Sequence, residues 1–427
     1  MEAEICALAP SDWQIRSVED VCKRVTSGGT PSRTRPDFYV DGSWPWVKTQ
    51  ELQDTWIDHT EEKITDKAVA DSSAKVLPPN TILLAMYGAT VGKLGILRSP
   101  MTCNQACCAM IVDSAKADFR YLYHHLRYSR TQLKSLATGA AQQNLSGALI
   151  KSLLYPFPPL PVQRAIAHIL GTLDDKIELN RRMNATLEAM ARALFQSWFV
   201  DFDPVRAKLD GRPPAALDPA TAALFPRSFD ETALGHIPHG WEVKTLGEVI
   251  DLAYGKPLKA EDRKDGPVCV YGANGPVGWH DEKLVSGPGI IVGRKGNPGV
   301  VTWAHGDFYP IDTTFYVEPK GECRSLYFLY YALSLHTLAN LSADSAVPGL
   351  NRNHAYMSKQ VIPSPPVLKA FDSQISAIFA AIHANEEQSR TLATLRDTLL
   401  PKLLSGELSV APTDKESLSV QNTSKKS

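Results

Sequence analysis

Two stretches of the chain carry apolar residues at a seven-residue spacing. Between residues 163 and 199 one row holds Ile166, Leu173, Asn180, Leu187 and Leu194, and the row beside it holds Leu170, Ile177, Asn184, Ala191 and Trp198. From 370 to 404 a second series runs Phe371, Ile378, Asn385, Leu392 and Leu399, beside Ile375 and Ile382. Such rows form a seam along one face of a helix, so each stretch predicts a long helix with a coiled-coil-like stripe. An offset of 205 superposes the two: Leu170 falls on Ile375, Leu187 on Leu392 and Asn180 on Asn385. A polar residue at the same central seam position of both helices fixes register at some cost in stability.

The first series ends in ALFQSWFVDFDPVRAK (193–208), where Leu194, Phe195, Trp198, Phe199 and Val200 crowd ahead of Pro204. Proline cannot continue a helix, and Asp203 before it is biased to extended geometry. One element therefore closes here and another begins. The surrounding pattern is duplicated. DWQIRSVEDVCKRVTSGGTP (12–31) is echoed by GWEVKTLGEVIDLAYGKPL (240–258), with Trp13 on Trp241, Val18 on Leu246 and Val21 on Val249. ILLAMYGATVGKLGIL (82–97) is echoed by GIIVGRKGNPGVVTWA (289–304), each reading as strand, Gly-rich basic loop and strand. The tyrosine-rich helices FRYLYHHL (119–126) and LYFLYYAL (326–333) and the proline-rich exits YPFPPLP (155–161) and IPSPPV (362–367) follow in the same order. A tandem repeat of one domain plus one long helix accounts for all four pairs.

The predicted layout is a first domain over 1–160, a first spacer helix over 161–205, a linker over 206–238, a second domain over 239–366, a second spacer helix over 367–410 and a disordered polar tail over 411–427. The linker mixes Pro, Gly and Ala and carries one helical turn near 219–224. The fold class is α+β: two tandem α/β domains joined by two long antiparallel coiled-coil-like helices with pseudo-twofold symmetry.

Composition narrows the class. With 427 residues, 44% hydrophobic and 21% charged, the chain can build two or three ordinary cores. No run of eighteen apolar residues occurs and the start, MEAEICALAPSDW, is acidic, so neither a membrane span nor a secretory leader is expected and the cytoplasm is the expected compartment. Seven cysteines, with Cys103, Cys107 and Cys108 clustered but no second CxxC, read as buried thiols rather than a zinc site. The net charge of -1 means that any nucleic-acid contact must come from local arrangement.

Catalytic motifs fail in detail. GATVGKL (88–94) has three residues between Gly88 and Gly92 instead of four, and Leu94 where a phosphate loop needs a hydroxyl. Pro36-Asp37 with Glu61, Glu62 and Lys63 has the spacing of a metal-dependent nuclease, but HTEEKITDKAV reads as the polar start of an amphipathic helix. SPPV (364–367) lacks the amide and aromatic ring with which adenine methyltransferases hold a flipped base. His124 and His125 are expected to pack or face solvent, and no G-x-S-x-G elbow exists. No residue is assigned a catalytic or metal-binding role.

The Gly-rich loops offer binding chemistry. Glycine lets amides approach phosphate, Lys and Arg neutralise it, and Asn, Gln and Arg pair with base edges. The candidates are Ser27, Thr30, Arg33 and Arg35 in SGGTPSRTR, Lys48 and Thr49 in PWVKTQEL, Tyr87 and Lys93 in MYGATVGK, and Gln142, Gln143 and Asn144 in TGAAQQNLS. Their second-half counterparts are Lys256 and Lys259 in YGKPLK, Arg294, Lys295 and Asn297 in GRKGNPG, and Asn351, Arg352 and Asn353 in VPGLNRNH, with Asn274 as a further candidate in the second domain. Leu173, Ile177, Asn180, Leu187, Leu194, Trp198, Phe199, Ile378, Ile382, Asn385, Leu392 and Leu399 form the candidate helix and partner interface.

The repeat of domain plus helix, with SGGTPSR, PWVKTQEL, ALFQSWFVDFDPVRAK, GRPPAALDPATAALFPRSF and IPHGWEVKTLGEV, resembles the specificity subunits of type I restriction-modification systems over nearly the whole chain. The resemblance implies a non-catalytic DNA-recognition subunit whose two domains each read half of a bipartite target. Its implied partners are double-stranded DNA, two methylation subunits and restriction subunits, with S-adenosylmethionine, ATP and Mg held on those partners and no cofactor on this chain. It also implies that the aromatic end of the first helix meets the second domain or a methylation subunit. One departure is VLKAFDSQI, which lacks the glutamine that LPVQRAI supplies at Gln163, so the two helix starts need not be capped alike. A scaffold that binds proteins through its heads is the rival from another class, and a free-standing DNA methyltransferase is a third.

A helix over 163–199 is about 55 Å long at about 1.5 Å per residue, against about 34 to 36 Å for a DNA turn. If helix length, with Asn180 facing Asn385, sets the distance between half-sites, inserting four residues (about one turn) after Asn184 lengthens the unread gap by about a base pair and leaves both half-sites unchanged. Sequencing methylated sites made with the insertion variant checks this, and an unchanged gap would assign the distance to the linker.

Overall fold

A computed structural model describes residues 9–138, 144–336, 338–341 and 349–410. Gln142, Gln143 and the 411–427 tail lie outside the described residues. The described residues fall into two compact units, those within 1–180 and 388–427 and those within 181–387.

In the first unit a five-stranded sheet has the order Cys22–Ser27, Cys107–Val112, Ile82–Ala85, Leu94–Leu97 and Thr55–Ile57, the last pair parallel. A smaller sheet sets Trp44–Val47 between Lys63–Ile64 and Thr102–Cys103. In the second unit a four-stranded sheet repeats the first four places: Ile250–Tyr254, Thr314–Pro319, Gly289–Gly293 and Val301–Ala304. Its small sheet, Gly275–His280, Val268–Gly272 and Phe308–Pro310, again pairs the last two strands in parallel. Gln14–Ser17 pairs with Leu154–Phe157 and Glu242–Thr245 with Lys359–Ile362, so in each unit the entering strand lies beside the strand that leads into a long helix. The short helices that follow start alike, with capping boxes formed by Ser17 with Asp20 and by Thr245 with Glu248.

The long helices run over Leu160–Phe199 and Pro365–Leu404. Prolines at 161 and 366 sit in their first turns, where a missing amide hydrogen costs no hydrogen bond. The helix starts differ as the missing glutamine suggests. Gln163, 2% exposed, accepts from Asp118 N and donates to Pro158 O, whereas Ser325 Oγ donates to Asp372 in the second unit.

Within the second unit the first helix contributes Ala191, Phe195, Trp198 and Phe199 to one core with Phe371, Ile375 and Phe379 of the second helix and Phe328 and Leu329 of the domain. Phe199 lies 4.9 Å from the Phe371 ring and 5.1 Å from that of Phe328, and Trp198 stands edge-on to Phe225 at 5.0 Å. The aromatic crowding ahead of Pro204 is therefore the core of the second domain. The helix ends at Phe199, the chain turns through Phe202 in the left-handed region, and Pro204 sits in the first turn of a new helix, Asp203–Leu209. The first unit repeats the arrangement with opposite ends: Ile166, Ala167 and Leu170 join Leu400, Leu403 and Leu404 around the first domain.

The helices run antiparallel in both units. In the first, Asp174 meets Arg396 at 2.7 Å, and Asn180 Nδ2 donates to Gln388 Oε1 at 2.9 Å and to Ser389 Oγ at 3.1 Å. In the second, Asn385 donates to Asn184 Oδ1 at 2.8 Å and Asn184 to the Ile382 carbonyl at 3.2 Å. Ile382 is buried, Leu194 and Ile378 pack against the second core, Leu399 packs against the first, and Leu173, Ile177, Leu187 and Leu392 are half-buried.

Two expectations change. HTEEKITDKAV does not open a helix at its polar start: Lys63–Ile64 pairs with Trp44 and Pro45, and the helix begins at Asp66, where Thr65 accepts from Ala68 N. The linker holds the helical turn Pro219–Ala223 and also a hairpin, Phe229–Thr232 with Gly235–Pro238, whose register the local pattern did not reveal.

His124 and His125 are both core residues, 1% and 0% exposed. His125 lies 4.8 Å from the rings of Tyr121 and Tyr155, and burial pushes it down to about 3. Because its folded value is lowered, the unfolded chain binds a proton that the fold excludes. Stability is intact above the ordinary value of 6.5 and is lost as pH falls from there toward 3, by about 1.4 kcal/mol per pH unit for each such histidine. His125→Phe is expected to make the fall in unfolding free energy between about pH 6 and 4 shallower by that slope. Urea titrations at stepped pH measure it, and an unchanged slope would refute the assignment.

Candidate nucleic-acid interface

Each domain places a Gly-rich loop between its third and fourth strands. Gly92 N donates to Ala85 O at 3.0 Å and Gly299 N to Gly293 O at 2.8 Å, closing the two loops in the same way. Gly88 and Gly92 have φ of 79° and 80°, Gly296 and Gly299 have 85° and 82°, and side chains there would be strained. A second segment docks on each loop: Leu145 N donates to Met86 O at 2.7 Å, and Leu350 N to Arg294 O at 2.9 Å. Tyr87 bridges Asn144 and Lys295 bridges Gly349. A third segment leaves the first strand. Gly28 N donates to Cys107 O and Gly255 N to Thr314 O, and in each case a Cβ would meet backbone carbonyls within 2.4 Å. Ser27 pairs with Cys108 and Tyr254 with Phe315.

These bonds align the heads place by place. Ser27 corresponds to Tyr254, Met86 to Arg294, Tyr87 to Lys295 and Asn144 to Gly349. The backbone frame is shared, while the side chains differ.

In the first head the cationic candidates are paired. Arg33 donates to Glu62 at 2.7 Å beneath the rings of Tyr39 and Trp46, and its guanidinium holds Glu62 below the usual carboxylate range. Arg35 grips Asp37 with both arms, at 2.8 and 2.7 Å. Lys48 reaches Glu61 at 2.6 Å and Glu62 at 3.0 Å. Lys93 pairs with Asp54 at 3.3 Å, and Asp54 also receives Arg130 and the Leu94 amide. Thr30 bonds Gln105, Thr49 begins the turn Thr49–Glu51, and Ser27 and Asn144 are exposed.

In the second head Arg294 and Arg352 flank the Tyr254 ring, their guanidinium carbons 5.1 and 5.2 Å from its centre, with Phe315 5.0 Å behind. Arg352 also donates to Leu252 O at 3.3 Å. Asn297 donates to Asn274, joining the loop to the neighbouring hairpin turn, and Asn351 caps the helix Arg352–Met357 by accepting from the amides of Asn353 and His354. Lys256, Lys295 and Asn353 are exposed, and Lys259 lies 3.8 Å from an equally exposed Glu261. The structure thus gathers Lys256, Asn274, Arg294, Lys295, Asn297 and Asn351 onto adjoining loops, with Arg352 at the start of the helix that Asn351 caps. In the first head Arg33, Arg35 and Lys48 stand with the small sheet and Lys93 with Asp54. Tyr254 and Asp54 were missed by sequence reading. Tyr254 had a signal, as an aromatic directly before the close-packed Gly255, but Asp54 had none, since its three partners lie 39 to 76 residues away.

Among the described residues no group of three or more His, Cys, Asp or Glu is placed to hold a metal ion, and no helix is long and apolar enough to cross a membrane. Cys22, Cys103, Cys107, Cys108 and Cys323 form no disulfide, and burial pushes the Cys22, Cys108 and Cys323 thiols up to about 12, out of reach of thiolate chemistry.

Residues 10–189 and 238–394, one repeat each, match the family described as type I restriction modification DNA specificity domain. The chain belongs to that family. It is 27% identical to the type I restriction enzyme MjaIX specificity subunit of Methanocaldococcus jannaschii over 94% of both chains. It is 29% identical to the HindI specificity subunit of Haemophilus influenzae over 61% of this chain and 70% of that one. A crystal structure of a type I restriction-modification system S subunit from M. genitalium superposes with a TM-score of 0.55 at 20% identity, covering 92% of this chain and 96% of the other, and so shares the fold. The two heads are those of a DNA-sequence-recognition subunit.

Asp54 has 15% and Arg130 22% of the side chain exposed, against 41% for Lys93. Asp54→Ala strands a largely buried guanidinium and is expected to cost about 3 kcal/mol, whereas Lys93→Ala removes a solvent-screened partner and costs less than about 1 kcal/mol. Chemical denaturation ranks them, and equal costs would show that Lys93 is the structural cation.

Proposed function

We propose that this chain reads a two-part duplex target, one part with each head, and performs no chemistry itself. The observation that carries the reading is the common loop frame bearing different side chains: a shared backbone gives both heads the same approach to a groove, and differing side chains give each its own base preference. In this reading two methylation subunits bring S-adenosylmethionine chemistry to the bound site, and restriction subunits bring ATP, Mg and cleavage. The exposed apolar residues Leu179, Met183, Met190 and Leu395 on the long helices suit contact with such subunits.

Mapping methylated positions in host DNA with and without this gene tests the reading. One interrupted motif is expected to vanish with the gene. Replacing residues 12–158 by the matching head of a relative is expected to change one half of that motif and leave the other intact. Methylation indifferent to the gene would sink the proposal in favour of a protein-binding scaffold.

A further inference from the structure

The aligned heads differ most where three loops meet. In the second head that place holds Tyr254, Arg294 and Arg352. The hydrogen bonds that align Leu145 with Leu350 make Ser27, Met86 and Gly147 their counterparts in the first head. Tyr254 is 51% exposed although it is a large aromatic, while Met86 is 8% exposed.

Charge follows the same division. Among the described residues neither Arg294 nor Arg352 lies within ion-pair distance of a carboxylate. Asp251, whose carboxylate feels Arg352, is held by Tyr356 Oη and lies 3.8 Å from Lys320. Arg33, Arg35, Lys48 and Lys93 of the first head each rest on an acid. A guanidinium held over a ring keeps its charge and most of its N–H donors available, whereas one gripping a carboxylate has both engaged. Two such forks on one exposed ring suit an acceptor that takes two parallel hydrogen bonds, as an anionic phosphate or the neutral O6/N7 edge of guanine does.

We infer that the second head engages duplex DNA through an Arg294–Tyr254–Arg352 stack, and that the first head makes no cationic contact at the equivalent place. The inference rests on the DNA-reading role proposed above and adds that the two heads bind by different chemistry. Tyr254 acts as a positioning residue, fixing both guanidinium groups, and the arginines are the contacting groups.

The test uses the full-length chain and a random-sequence duplex, with affinity followed from about 50 to 200 mM salt. Each phosphate contact contributes about 0.9 to the slope of log affinity against log salt, so Arg294→Gln and Arg352→Gln are each expected to flatten the slope by about that amount. Arg294→Lys keeps the slope, because it keeps the charge. Lys369→Gln, an exposed cation on the second long helix, leaves the slope unchanged. Tyr254→Leu is expected to weaken binding roughly fivefold, the size of an exposed cation–ring contact, while Tyr254→Phe retains it. Thermal unfolding of each variant confirms that the fold is intact. Wild-type slopes in both Arg→Gln variants would overturn the stack as a DNA contact while leaving the DNA-reading role standing. A wild-type chain that binds no duplex at any salt would overturn both.

Discussion

Neither recognition domain closes its own core. The first takes Ile166, Ala167 and Leu170 from the start of one long helix and Leu400, Leu403 and Leu404 from the end of the other. The second takes Phe195, Trp198 and Phe199 from the opposite end of the first helix and Phe371, Ile375 and Phe379 from the start of the second. Burying a large apolar side chain contributes about 1.5 to 3 kcal/mol, and paired aromatic rings add about 0.5 to 1.5 kcal/mol beyond their area. The helix ends are therefore bound to the domains by the same burial that folds them. Each domain is held at a fixed position along a helix because its own core includes that position.

Between those ends the helices carry polar pairs. Asn180 with Gln388 and Ser389, and Asn385 with Asn184, are related by the same offset that superposes the repeats. A buried amide tolerates only a register that supplies its partners, so these residues specify alignment while the aromatic ends provide affinity. Asp174, held by Arg127 of the first domain and Arg396 of the second helix, ties three elements at one carboxylate. Asp175 adds Arg120 and Trp56 beside it.

The heads show how one fold can support two specificities. Glycines that permit left-handed turns and close carbonyl approach recur at matched places, because the frame cannot form without them. Side chains on that frame are under no such constraint. Serine stands for tyrosine and methionine for arginine, and basic residues of the first head form ion pairs.

The duplication, the seven-residue seams, the matched asparagines and the stop at Pro204 were legible in the sequence because each is a local pattern, set by helical periodicity or by proline's missing amide hydrogen. Tertiary structure alone decided what the aromatic run at 194–199 packs against, since burial pairs it with Phe328 and Phe371, more than 120 residues away. It also decided which basic residues stand beside an acid and which beside a ring. Lys93 and Arg294 look alike on Gly-rich loops, but Asp54 arrives beside one from the bend ahead of Thr55–Ile57 and Tyr254 beside the other. An ion pair or a cation–ring contact depends on separation in space, which the spacing of residues along the chain does not encode.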